Sequence, residues 1–112
     1  NEFSLSREVY EEIYGRFQKE IDGNVIAEFA QVLFLSNERK FDERLKIVLD
    51  EALIKNPNNP SALTLKGLFE LENKNVSSAL DLWNRAVPFL NSEKERNDLI
   101  ALIEAVKKRK NQ

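Results

Sequence analysis

Small and large apolar residues alternate between positions 56 and 86 at intervals suited to a pair of crossing helices. They are Leu63, Gly67, Ala79, Trp83 and Ala86, entered through Asn56-Pro57-Asn58-Asn59-Pro60. Two antiparallel helices approach closely only where side chains are small, so Gly67 and Ala79 belong at the crossing while Leu63 and Trp83 fill the space beside it. One such hairpin cannot bury its apolar surface alone, so further hairpins must stack on it. The pattern points to a protein that holds another polypeptide rather than one that does chemistry.

The remainder of the chain is helical in period, and no stretch alternates strictly enough to read as a strand. Leu5, Val9, Tyr10, Ile13, Tyr14, Phe17 and Ile21 recur every three or four residues and predict an amphipathic helix over 6–21, ended by Asp22-Gly23-Asn24. A second helix is expected over 25–36, with Asn24 as N-cap and Ile26, Phe29, Ala30 and Leu33 on one face. Residues 36–41 are polar and read as a loop. Asp42 can cap a third helix reaching Lys55, with Leu45, Val48, Leu49, Ala52 and Leu53 as its buried stripe.

Pro57 and Pro60 stop one helix and start the next, because proline lacks the amide donor an interior turn needs but fits a first turn. A fourth helix is expected over 60–72 and a fifth over 76–90, where Pro88 must disturb the last turn by leaving the Asn84 carbonyl without its amide. Ser92 and Glu95 have capping-box spacing and open a final helix carrying Leu99, Leu102, Ile103 and Val106.

Composition narrows the chemistry. The 112 residues are 42% hydrophobic, enough for one domain with a core. There is no Cys, His or Met, so structural zinc, thiol or imidazole nucleophiles and the usual haem ligands are missing, and no cofactor is expected. The net charge of −2 hides an uneven distribution, since Lys107, Lys108, Arg109 and Lys110 are four of the 17 basic residues. The body keeps 13 basic against 19 acidic residues, −6, which argues against nucleic-acid binding. Cations in a last helical turn suit the macrodipole.

Glu11-Glu12, Glu70, Glu72, Glu93 and Glu95 stand among lysines and arginines at helical spacing, as solvated faces do. No catalytic residue is assigned, and the domain is not expected to be an enzyme. Neither a signal-peptide core nor an apolar run of membrane-spanning length occurs. The opening Asn1-Glu2-Phe3 reads as that of an excised fragment, with any membrane attachment supplied by segments outside this chain.

On the 34-residue pattern of tetratricopeptide repeats, Leu63, Gly67, Ala79, Trp83 and Ala86 occupy signature positions. The expected fold is all-α, a tetratricopeptide-repeat superhelix of about six antiparallel helices. It comprises a partial repeat (1–22), a repeat over 23–59 with about three residues inserted around Asn37 to Lys40, a repeat over 60–91 and a capping helix over 92–110. The runs Ala27-Glu28-Phe29-Ala30-Gln31-Val32-Leu33, Ala52 to Gly67 and Ala79-Leu80-Asp81-Leu82-Trp83 resemble the periplasmic tetratricopeptide domain of the cytochrome c biogenesis proteins CcmI and NrfG.

That resemblance covers roughly residues 24–107 and implies a chaperone clamp in the bacterial periplasm. It would hold the C-terminal segment of an apocytochrome c for haem ligation, beside other haem lyase subunits. The chain departs from the family where Gly67 is followed by Leu68-Phe69-Glu70 instead of an alanine-rich stretch. A tetratricopeptide adaptor for another complex is the main alternative. A hydrolase or transferase subunit completed by a partner is the third reading.

Phe34, Leu35, Leu68 and Leu71 lie off the packing stripe, on the side of each hairpin's first helix that a superhelix turns inward, and so predict a concave peptide groove. Asn24, Gln31, Ser61, Thr64 and Glu72 fall on that face as polar contacts, and Ala27 is counted with them as part of the groove. Trp83, between Ala79 and Ala86, is expected in the core. Phe34→Glu and Leu68→Glu are expected to abolish peptide binding without changing the melt, since neither residue is assigned to the core. Tyr10, Tyr14 and Phe17 form the fallback site.

Overall fold

Caps and breakers set the element boundaries. The computed structural model describes residues 2–17 and 20–110, with side chains from Arg7 to Arg16 and from Glu20 to Lys110. Within them lie six α-helices: α1 (Glu2–Phe17), α2 (Gly23–Ser36), α3 (Glu43–Lys55), α4 (Pro60–Glu72), α5 (Val76–Ala86) and α6 (Glu93–Lys110). Pro88 has the expected effect, converting the end of the fifth helix into a single 3-10 turn, Val87–Phe89. The Asp42 carboxylate accepts the Leu45 amide at 2.8 Å, and Ser92 Oγ accepts that of Glu95 at 2.9 Å.

The start of α2 differs from the expectation. Asp22, not Asn24, is the N-cap, its carboxylate accepting the Asn24 amide at 2.6 Å, and Gly23 lies inside the first turn rather than ending a helix. Asn24 is thereby released for another task. Its Oδ1 accepts from the side-chain amides of Asn56 and Asn59, both at 2.7 Å. Asn59 in turn caps α4, accepting the Ala62 amide at 2.9 Å, with Pro60 in the first helical position.

The Asn-Pro-Asn-Asn-Pro segment is therefore a knot joining the start of α2, the end of α3 and the start of α4. Gly23 makes the knot possible, because a Cβ there would stand 2.9 Å from Asn56 Cβ.

Consecutive helices pack against each other through short connections, and α2 also touches α4, so α2–α3 and α4–α5 are stacked antiparallel hairpins flanked by α1 and α6. The architecture is all-α, six helices in a stack consistent with a tetratricopeptide-like fold. Its extents are 47 × 25 × 23 Å with a radius of gyration of 14.4 Å. A rounded domain of this length would have about 13 Å, so the stack is drawn out along one axis.

Two apolar cores run along that axis. The first gathers Tyr14, Ile26, Phe29, Leu33, Leu45 and Leu49; the second gathers Leu63, Leu80, Trp83, Leu99 and Ile103. Leu53 and Leu68 pack against both and make them continuous. Trp83 is fully buried, and its indole N–H donates to the Thr64 carbonyl at 3.0 Å, so its polar edge is satisfied. A Cβ built on Gly67 would overlap the indole, with Cε2 at 2.8 Å and two ring atoms nearer still.

Helix α1 starts earlier and ends earlier than its periodicity predicts. Only part of its expected apolar face is covered: Tyr14 is buried and Tyr10 half-buried, but Val9 and Ile13 are 53% and 38% exposed. A flanking helix with α2 as its main neighbour has a narrow covered stripe, and these two residues lie beside it. The side chains of Leu5 and Phe17 lie outside the described residues.

Candidate functional site

The first helix of each hairpin and α6 line a groove on the described surface. One end, a recess of about 290 Å³, is bounded by Gln31, Phe34 and Leu35 of α2 and by Ser61, Thr64, Leu65 and Leu68 of α4. Gln31, Ser61 and Thr64 also line a second recess of about 510 Å³, completed by Leu90 and by Glu95, Asp98, Leu99 and Leu102 of α6. The shared residues make the two recesses one trough. Helices α1, α3 and α5 contribute nothing to its lining.

This placement follows from helical geometry. Gln31, Phe34 and Leu35 are three and four residues apart on α2, as are Ser61, Thr64, Leu65 and Leu68 on α4, so each set forms a ridge on one helix face. The cleft between the ridges is amphipathic. The hydroxyl and amide groups of Ser61, Thr64 and Gln31 are shared by both recesses, with apolar side chains beyond them at one end and leucines beside Glu95 and Asp98 at the other, an arrangement that can take main-chain polar groups and apolar side chains of a polypeptide together.

Of the ten expected groove residues, Gln31, Phe34, Leu35, Ser61, Thr64 and Leu68 are brought together here. The other four are not. Ala27 is 1% exposed, packed in the first core by its position on the stripe of Ile26 and Ala30, and has no surface to offer. Asn24 has its carbonyl oxygen committed to Asn56 and Asn59. Leu71 packs partly buried against the second core, and Glu72 is exposed at the last residue of α4, away from both recesses.

Phe34 and Leu68 need a second correction, because both are also half-buried against the first core. Phe34 packs at a tilt on Phe41 with ring centroids 4.9 Å apart, and Phe41 meets Phe69 edge-on at 5.4 Å. The segment that reads as a polar loop thus delivers an aromatic ring, Phe41, that packs on the groove-lining Phe34 and against the first core. A charged residue at Phe34 or Leu68 would therefore lower stability as well as binding. Leu35 belongs to neither core and is the cleaner probe.

The sequence pattern does not show the contribution to the groove of Leu90, after the 3-10 turn, and of Glu95, Asp98, Leu99 and Leu102 of α6. Leu99 and Leu102 are expected on the apolar face of a cap, and one face serves both purposes. Asp98 pairs with Lys94 at 2.9 Å across an exposed helical turn, and that hydrogen bond holds the Lys94 ammonium above its ordinary pKa. At the far end of the molecule, Tyr14 is pushed up to about 12 by burial and by donating its hydroxyl to Glu51. Tyr10 is raised too, first by its bond to Glu28. The tyrosines lie away from the trough and support α1 rather than a ligand.

The fold and the trough together define a class, that of stacked helical hairpins with an amphipathic groove on the side of their first helices. Among known proteins the chain is similar to the cytochrome c-type biogenesis protein CycH of Pseudomonas aeruginosa, with 32% identity over 69 residues. The match takes in 62% of this chain but only 17% of that protein, so the chain spans about one sixth of its relative's length. No protein-family model and no solved structure matches the chain.

Proposed function

We propose that this domain is a tetratricopeptide chaperone module of cytochrome c maturation, holding the C-terminal segment of an apocytochrome c in the trough between α2, α4 and α6. The observation that carries the reading is the joining of six separately expected residues into one amphipathic groove, in a chain similar to a cytochrome c biogenesis protein. The groove's role is to bind and orient, with no covalent step and no cofactor. Its setting is the bacterial periplasm, beside the other haem lyase subunits.

An amphipathic helix laid in the trough would bury its apolar stripe against Leu35 and Leu68 and present backbone to Gln31, Ser61 and Thr64. Ordering a flexible peptide offsets much of that gain, so binding is micromolar, on the order of −8 kcal/mol. Calorimetry with apocytochrome and holocytochrome side by side tests the proposal. The expected result is micromolar binding of the apo form, weakened at least tenfold by Leu35→Glu with little change in the melt. Equal binding of both forms, or binding untouched by Leu35→Glu, would overturn it.

A further inference from the structure

Three neutral polar side chains line both recesses of the trough, and the fold gives them nothing to bond. Gln31, Ser61 and Thr64 make no side-chain hydrogen bond among the described residues. Outside its own helix Thr64 is engaged only through its carbonyl, which accepts the Trp83 indole, so its hydroxyl is left over. Gln31 is exposed, and Ser61 and Thr64 are half-buried with no polar atom sealed from solvent. In the free domain water answers all three.

Their position decides what can replace that water. Phe34, Leu35, Leu65 and Leu68 lie beyond them on one side and Leu90, Leu99 and Leu102 on the other, so an occupant that uses both recesses must cross the three polar groups. An unbroken apolar stripe would strip their water and return no hydrogen bond, which is the costly outcome for such groups. The main chain of a helix has few groups to spare, since most are bonded within it, so a side chain must supply the remainder. Charge does not set the preference. Glu95 and Asp98 at the larger recess are matched on α6 by Lys94, which pairs with Asp98 at 2.9 Å, and by Arg96, which donates to the Leu90 carbonyl at 2.8 Å.

Resting on the groove reading above, we propose that the preferred occupant is an amphipathic helical segment whose apolar stripe is interrupted at its middle by an asparagine or glutamine. A side-chain amide both donates and accepts, so it can meet the Ser61 and Thr64 hydroxyls and the Gln31 amide while apolar side chains on either side of it fill the two recesses. Gln31, Ser61 and Thr64 thereby determine specificity. The trough discriminates against uniformly apolar helices, which a plain hydrophobic cleft would bind best.

The test uses two synthetic amphipathic peptides that differ at one position, the middle of the apolar stripe, which is asparagine in one and leucine in the other. Fluorescence anisotropy should show the asparagine peptide binding about tenfold tighter to the wild type. That preference should vanish or reverse in Ser61→Ala/Thr64→Val and narrow in Gln31→Leu, a change at an exposed position that the fold tolerates. Leu35→Glu should weaken both peptides. If the leucine peptide binds the wild type as tightly or more tightly and both peptides lose affinity to Leu35→Glu, the specificity assignment is overturned and the groove reading stands. An asparagine preference that survives undiminished in both polar-group variants likewise overturns it. If neither peptide binds, or Leu35→Glu leaves both unchanged, the groove reading falls and this inference with it.

Discussion

The two hairpins solve the same crossing with different side chains. In α4–α5 the close approach is Gly67 against Trp83, with Ala79 beside them; at the matching places of α2–α3 stand Ala30, Leu49 and Leu45, all buried. One hairpin uses one very large residue and a hydrogen against it, the other a small residue against two leucines. Both arrangements keep the crossing buried while dividing the bulk differently among the three positions. The connections differ as well. Asn73–Asn75 turns the second hairpin through one left-handed residue, Lys74 (φ 65°), whereas Asn37–Asp42 turns the first through Glu38 and Arg39 (φ 55° and 60°) and adds Phe41 to the core side.

The largest effect should come from Gly67→Leu, which drives a side chain into a fully buried indole and costs about 3 kcal/mol, at the upper end of overpacking penalties. Gly67→Ala should also destabilise, and adding Trp83→Leu, the partition used by the first hairpin, should recover part of the loss. Chemical denaturation of the two single variants and the double variant measures that coupling. Strictly additive costs would break the equivalence of the two crossings.

The first hairpin alone is packed against a buried tyrosine, and that makes it sensitive to alkali. The Tyr14 pKa is raised from 10.0 to about 12 in the folded chain, so its contribution is intact below pH 10 and is lost as pH rises through 12. At about 1.4 kcal/mol per unit the full loss is about 3 kcal/mol, most of it visible as the difference between wild type and Tyr14→Phe in urea unfolding from pH 9 to 12. Parallel pH profiles for the two proteins would contradict it.

The knot between the hairpins should come next. Asn59→Ala removes the α4 cap and one of the two donors to Asn24, and is expected to cost about 1–2 kcal/mol by thermal melt. The smallest change is Ala30→Gly, which copies the second hairpin's small residue into the first without supplying a tryptophan to use the space. About 1 kcal/mol of lost helix propensity is expected.

Hydrophobic period and the placement of capping and breaking residues make most of the fold legible in the sequence. Six helices, the Pro88 break and the caps at Asp42 and Ser92 follow from residues whose chemistry is local. Asp22-Gly23-Asn24 misleads because it offers two residues able to cap and a glycine suited to ending a helix. Only the closeness of Asn56 decides that Asn24 is needed elsewhere and that Gly23 lies within α2. The α1 face is narrower than its period suggests, because periodicity shows what a helix could bury, not how many neighbours it has.

The same division holds at the groove. The α2 and α4 ridges are readable from register within each hairpin. The part supplied by Leu90, Glu95, Asp98, Leu99 and Leu102 depends on where α6 crosses the stack, which no local pattern encodes. Conversely, Ala27 and Leu71 point outward only in a face count that ignores how wide the packed stripe is.

The central claim is that the trough between α2, α4 and α6 is the binding surface, and amide chemical-shift mapping with an apocytochrome c C-terminal peptide tests it most directly. Shifts concentrated at Gln31, Leu35, Ser61, Thr64 and Leu102, saturating at micromolar affinity, are the predicted result. Shifts centred instead on the exposed Ile47 and Ile54 of α3, or on Val9 and Ile13 of α1, would contradict it.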